Sequence, residues 1–282
     1  MSRSILISAP AKLNLALAVT GERADGYHEL VSVFARLDLA DDVRVAMHRT
    51  LEVRNTVDIG PGDDLAAVAV RELARASSRE ASAFVRIRKR IPLAAGLGGG
   101  SSDAAAVLRG LAQLWNVDED LVSAGARVGS DVPFFARDTA VALVRGRGEI
   151  VEPLPAPTTP LHVVVVRPTL RLRTAEVFAE HRAEDRGALR HVETLAQAFS
   201  AGSITPELVR VHAENDLLPA AERKSEAIAA WRAAAAARGI ALALTGSGPT
   251  LFAVADDRAD ALRMARILRR AGLRARPYRA AA

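Results

Sequence analysis

The chain contains no cysteine, so disulfides, thiolate catalysis and cysteine-bound zinc are excluded. Aromatic residues are scarce, at 4% of positions, and the densest basic run, Arg86 to Arg90, has none interleaved with it to stack nucleic-acid bases. No apolar stretch approaches the ~20 residues of a bilayer-spanning helix. The first residues, Ser8, Pro10 and Lys12 among them, show no leader-like run. Lysine is nearly missing too. It stands only at 12, 89 and 224, and every other basic residue is arginine. These absences predict a soluble, cytoplasmic protein.

What is present is apolar mass. Half of the 282 residues are hydrophobic, ample for one large or two modest domains. The net charge of +5 comes from 38 basic and 33 acidic side chains that are dispersed along the chain. A mildly basic surface that draws in anionic metabolites explains it as well as a nucleic-acid partner does, and nucleic-acid binding is the minority reading.

Apolar alternation predicts strands at 4–7, 13–19, 43–47, 51–57 and 83–91. Helical periods occupy 64–76, 101–114 and 118–128, and a strand pair falls at 139–144 and 149–151. Four prolines between Pro153 and Pro160 mark a linker. Beyond it come a strand at 161–166 and helices at 174–182, 190–200, 205–212 and 220–238. Two short strands at 240–245 and 250–255, a helix at 257–271 and a strand at 273–278 complete the pattern. Strands interleaved with helices in both halves argue for an α+β protein, divided into residues 1–153 and 161–282.

The richest segment is Pro92-Leu-Ala-Ala-Gly-Leu-Gly-Gly-Gly-Ser-Ser-Asp103, followed by an Ala/Leu-rich helical pattern. Glycines allow sharp turns and close backbone approach. A helix beginning there aims free N–H groups and its positive dipole end at an anion, most commonly phosphate. A Walker A loop requires a lysine directly before its Ser/Thr, and none precedes Ser101 or Ser102. A dinucleotide-binding turn fails as well, because Ser101 stands where its third glycine belongs and 115–125 reads as helix.

The same segment resembles the phosphate loop of the superfamily named for galactokinase, homoserine kinase, mevalonate kinase and phosphomevalonate kinase. Ala9-Pro-Ala-Lys-Leu-Asn-Leu15 is similar to its N-terminal motif, and Leu244-Thr-Gly-Ser-Gly-Pro-Thr-Leu-Phe252 to its C-terminal glycine motif. Gly21-Glu-Arg-Ala-Asp-Gly-Tyr-His-Glu-Leu30 and Gly129-Ser-Asp-Val-Pro-Phe-Phe135 narrow the resemblance to the 4-diphosphocytidyl-2-C-methyl-D-erythritol kinase family. That likeness implies an N-terminal domain like ribosomal protein S5 domain 2 and a ferredoxin-like C-terminal domain. It implies transfer of the ATP γ-phosphoryl group, with Mg²⁺ carried by the nucleotide, to the tertiary 2-hydroxyl of a CDP-methylerythritol substrate. A kinase of mevalonate or homoserine is the alternative enzyme, and a nucleotide- or RNA-binding module the alternative of another class. Monomer and homodimer stay open.

Residue roles follow from local chemistry and this likeness together. Asp131, in a turn before apolar residues, is the candidate base that takes the hydroxyl proton; the plainer reading is a turn cap. Lys12, in an otherwise apolar run, is its candidate partner, since a bare buried charge is costly. Asn14 falls two residues on, on the same strand face, for substrate hydroxyls or for orienting the base. The likeness assigns Tyr27 and His28 to the cytosine, with Phe178 as a second stacking face and Thr174 in the same segment. It sets Gly246 and Ser247 against the phosphate loop and substrate diphosphate. Pro92, Leu93, Ala94, Ala95, Gly96, Leu97, Gly98, Gly99, Gly100, Ser101 and Ser102 cradle the triphosphate. Asp103 complements the helix dipole or meets a metal, and no protein ligand of Mg²⁺ is assigned. Lys89 and Asp63-Asp64-Leu65 fall near adenine by the same likeness. Two positions depart from the pattern: Asp64 where the family usually carries Asn, and Arg147 where relatives more often have a small or apolar residue.

Overall fold

A computed structural model describes residues 3–24, 26–59, 64–167 and 169–281. Asp25 and Asp63, named above, lie outside the described residues. Two 19-residue strands, β1 (Ser4–Glu22) and β2 (His28–Ala46), form one long antiparallel ribbon. The two strands predicted at 4–7 and 13–19 are therefore one. Register shifts at Pro10/Lys12, Asn14/Ala16 and Val19/Gly21 re-aim individual residues along it. Nothing in the sequence pattern marks 28–42 as strand. Ser32 to Ala35 are buried throughout, which erases the polar-out alternation of a half-buried strand.

On β2 the sheet continues through β4 (Ala83–Arg88), which pairs in parallel with β3 (Leu51–Asn55) across the helix α1 (Leu65–Ala76). Next come α2 (Gly99–Trp115), α3 (Leu121–Val128) and the short α4 (Val132–Ala136). Helix α2 is built from good helix formers and buries Ala104, Ala105, Leu108 and Leu111. It stops at Asn116, whose φ of 51° is the left-handed conformation Asn tolerates. Strands β5 (Val141–Gly146) and β6 (Ile150–Leu154) extend the sheet from the other half of β2.

After the proline-rich segment come β7 (Leu161–Val166), α5 (Thr174–Glu180), α6 (Leu189–Ser200), α7 (Pro206–His212), α8 (Leu218–Lys224) and α9 (Glu226–Ala236). The helix expected over 220–238 is two, broken where Ser225 turns extended (φ −155°, ψ 106°). Strands β8 (Ala243–Leu244) and β9 (Leu251–Ala255), helix α10 (Arg258–Arg270) and strand β10 (Ala275–Ala280) follow. The antiparallel order β10-β7-β9-β8 joins the first half where Ala280 pairs with Leu37.

The two sides of the proline-rich segment share one apolar core. Leu13, Leu15 and Val33 pack in the same cluster as Val165, Phe199 and Phe252. The outer edge of β1 is tied to the second half by backbone bonds, Leu17 N–H to Glu214 O (2.9 Å) and Asp216 N–H to Leu17 O (3.0 Å). Among the described residues no helix is long and apolar enough to cross a membrane.

Candidate active site

Residues 92–101 form one wall of a cleft of about 1400 Å³. Gly96 and Gly98 take φ values of +73° and +69°, the left-handed region open to glycine at little cost. A Cβ on Gly96 would stand 2.6 Å from the Thr245 carbonyl oxygen, and one on Gly246 would stand 3.0 Å from the Gly96 oxygen. The two glycine motifs, some 150 residues apart in sequence, thus pack backbone on backbone. Gly98 is the N-cap of α2, so the helix start faces the cleft. Ser101 lines the cleft. Ser102 does not: it is buried at 1% exposure, and its hydroxyl has no hydrogen-bond partner.

The register shift between Pro10 and Lys12 has a purpose at this loop. It releases the Lys12 N–H from β2 to bond the Leu97 carbonyl at 3.0 Å. The Lys12 side chain, 4% exposed, then runs under Gly98, with Cγ 3.0 Å from where a Cβ would lie. Its ammonium sits 3.4 Å from Asp131 Oδ2, donates to Asn14 Oδ1 at 2.6 Å and lies 4.6 Å from the Phe34 ring centre. Asn14 donates through Nδ2 to Ser32 Oγ (2.9 Å), which donates to Ala16 O (2.6 Å). Its backbone N–H reaches Thr245 Oγ1 at 2.8 Å. Asn14 therefore holds the ammonium in place, and it also lines the cleft. Asp131 precedes α4 but makes no capping hydrogen bond, which disposes of the plainer reading of that residue. Its carboxylate remains partly exposed to the cleft.

At the other end of the cleft stand Tyr27, His28, Thr174 and Phe178. The His28 and Phe178 ring centres are 5.0 Å apart at 37°. Tyr27 is half exposed, with the Arg147 guanidinium 5.0 Å from its ring centre. Burial pulls the His28 pKa below its ordinary value, opposed by Glu22, so the ring is neutral at pH 7 and can both donate and accept. Thr174 and Ser247 share a hydrogen bond at 3.0 Å, which joins this end to the glycine turn at 246–248.

Two functional candidates escaped the sequence reading. His181 packs edge-on against His28, with ring centres 6.1 Å apart, and neither of its nitrogens has a hydrogen-bond partner; Asp185 lies 3.5 Å from Nδ1. Asp41 is wholly buried and stands 2.6 Å from the Lys89 ammonium, which also contacts Asp103 at 2.6 Å. A signal for Asp41 existed. It is in phase with the buried Val43 and Val45, so an acidic residue occupied a core position of the strand. Asp103 lies beyond the first turn of α2 and points at Lys89, so the dipole-capping role expected for it is replaced by an ion pair. Asp64 caps α1 through the Ala66 N–H (3.0 Å) and accepts from Asn55 Nδ2 (3.2 Å), so both its oxygens are engaged.

Comparison with known proteins identifies relatives of the whole chain. Residues 64–138 match the family model for the GHMP kinases N terminal domain, and 192–273 match that for GHMP kinases C terminal. A 4-diphosphocytidyl-2-C-methyl-D-erythritol kinase of Gloeobacter violaceus is 36% identical, covering 92% of this chain and 88% of that protein. One from Pelobacter propionicus is 37% identical, covering 92% of each. A crystal structure of 4-(cytidine 5'-diphospho)-2C-methyl-D-erythritol kinase superposes with a TM-score of 0.79 at 34% identity, covering 98% of this chain and 99% of that one. Homoserine kinase from Cytophaga hutchinsonii, 18% identical, shares the fold with a TM-score of 0.71, covering 98% of this chain and 93% of that one. By matches in both halves and by identity along nearly its whole length, the chain belongs to the GHMP kinase family and, within it, to the group of 4-diphosphocytidyl-2-C-methyl-D-erythritol kinases.

Proposed function

We propose that this protein transfers the γ-phosphoryl group of ATP to the 2-hydroxyl of 4-diphosphocytidyl-2-C-methyl-D-erythritol, a step in isoprenoid precursor synthesis. The observation that carries the reading is the Lys12–Asp131 pair at 3.4 Å, set in one cleft between the glycine loop and the Tyr27–His28–Phe178 end. Phosphoryl transfer needs chiefly positioning and charge neutralisation. The triphosphate lies along residues 92–101, against the start of α2. The cytosine lies between Tyr27 and Phe178, with His28 at its edge. The acceptor hydroxyl then meets Asp131, which takes its proton as the oxygen attacks phosphorus. Lys12 stabilises negative charge on the attacking oxygen.

Mg²⁺ takes hard oxygen donors, commonly substrate phosphates with few protein ligands. The donors here fit that habit: Ser101 and Asp131 face the cleft, and no group of three or more acidic or histidine side chains is arranged as a metal cage among the described residues. Bound with the nucleotide, the ion would neutralise triphosphate charge. The partner is a small molecule, and the compartment the cytoplasm.

Incubation with Mg-ATP and CDP-methylerythritol, mevalonate or homoserine, read by mass spectrometry, tests the assignment. The expected result is a singly phosphorylated CDP-alcohol with stoichiometric ADP. Phosphorylation of mevalonate or homoserine in preference to the CDP-alcohol would overturn it.

A further inference from the structure

We propose that Asp41, Lys89 and Asp103 form a buried clasp that closes the base of the phosphate loop, with Asp41 and Asp103 acting as positioning residues for the nucleotide. The inference rests on the reading that the loop holds ATP, and it deepens that reading.

The geometry is specific to the two feet of the loop. On one side, Asp41 Oδ1 accepts the backbone N–H groups of Arg90 and of Ile91 (2.8 Å for Ile91), directly before Pro92. On the other, Asp103 is carried by α2, which begins at Gly99. Lys89 bridges them, with its ammonium 2.6 Å from Asp41 Oδ2 and 2.6 Å from Asp103 Oδ2. The three side chains are 5% exposed or less. Loop backbone lies directly over the bridge: a Cβ on Gly99 would stand 3.4 Å from Lys89 Nζ and 2.9 Å from Ile91 Cγ2. A loop fixed at both ends has its N–H groups aimed before the anion arrives, so less ordering is charged against binding.

Lys89 is the one ammonium between two carboxylates, so either carboxylate, once removed, leaves one foot of the loop untied.

Two measurements test this on the full chain. The first is calorimetric titration with Mg-ATP, and separately with the CDP-alcohol. The second is amide hydrogen exchange over residues 92–100 without ligand. Asp103→Asn, which keeps an oxygen to accept from Lys89, should stay nearer the unaltered protein in both measurements than Asp103→Ala does. Asp103→Ala, which opens the clasp, should raise the Kd for Mg-ATP and the exchange rate of the loop by about tenfold or more, roughly the loss of one charged hydrogen bond. Affinity for the CDP-alcohol should stay within about twofold, because distant sites couple weakly. Unchanged loop exchange and unchanged ATP affinity in Asp103→Ala would overturn the proposal. So would equal loss of affinity for both ligands, the mark of general damage. If the unaltered protein failed to bind Mg-ATP, the functional reading would fall, while the exchange measurement would still decide the clasp.

Discussion

Gly96→Ala probes the contact that joins the two glycine motifs. Gly96 has φ +73°, and its missing Cβ leaves room for the Thr245 and Gly248 carbonyl oxygens, 2.6 and 3.0 Å from where that atom would stand. A left-handed backbone costs a residue with a Cβ ~1–2 kcal/mol. Both obstructing atoms are backbone, so the 245–248 turn must shift, and overpacking of this kind costs ~1–3 kcal/mol more. The sum is about 2–5 kcal/mol. Gly100→Ala is the internal control. Its Cβ would meet only Leu65 Cδ1 at 3.7 Å, inside α2, and helix propensity favours alanine by up to ~1 kcal/mol. At roughly 2–3 °C per kcal/mol for a chain of this size, Gly96→Ala should melt ~4–15 °C lower and Gly100→Ala no lower than the parent. Thermal scans with urea unfolding as a second measure decide it. Displacement of Gly246 and Ser247 should also raise the KM values for both substrates in Gly96→Ala. Melting of the two variants within about 2 °C of each other, less than 1 kcal/mol, would refute the backbone-packing argument.

Asp131→Asn should lower kcat by about 10²–10⁴-fold with little change in either KM, read as ADP release; activity near that of the parent would remove Asp131 as the base. Phe178→Ala should raise the KM for the CDP-alcohol by about tenfold, near the ~1.4 kcal/mol upper range for an aromatic stack, and leave the KM for ATP alone. Glu72 joins α1 to α3 by accepting from Arg75 (2.8 Å) and Arg127, and hydrogen bonds from Arg75 first and Arg127 next hold its pKa down at about 2. A carboxylate depressed in the folded state contributes stability above its unfolded value of 4.5, which is lost as pH falls from 4.5 through about 2. Glu72→Gln should therefore lower the urea midpoint at pH 6 and flatten its decline below pH 4.5. A parallel decline in both proteins would remove Glu72 as the source.

Much of this protein is legible in one dimension. The glycine run from Gly96 to Gly100, the helix behind it and most strands follow from local rules of turn chemistry and periodicity, because each is decided by neighbours in sequence. The lysine at 12, in an otherwise apolar run, and the turn carboxylate at 131 stand out as residue types out of keeping with their surroundings. Three dimensions decided the rest. That Asn14 serves the Lys12 ammonium, that Gly96 rests on the 245–248 turn, and that Asp41 clasps Lys89 are long-range facts, set by which strands pair and where the register shifts. A period of two can put Asp41 on the core face of β2, but only the pairing of β4 beside β2 brings up the Lys89 ammonium and the Arg90 and Ile91 N–H groups that make burial there tolerable.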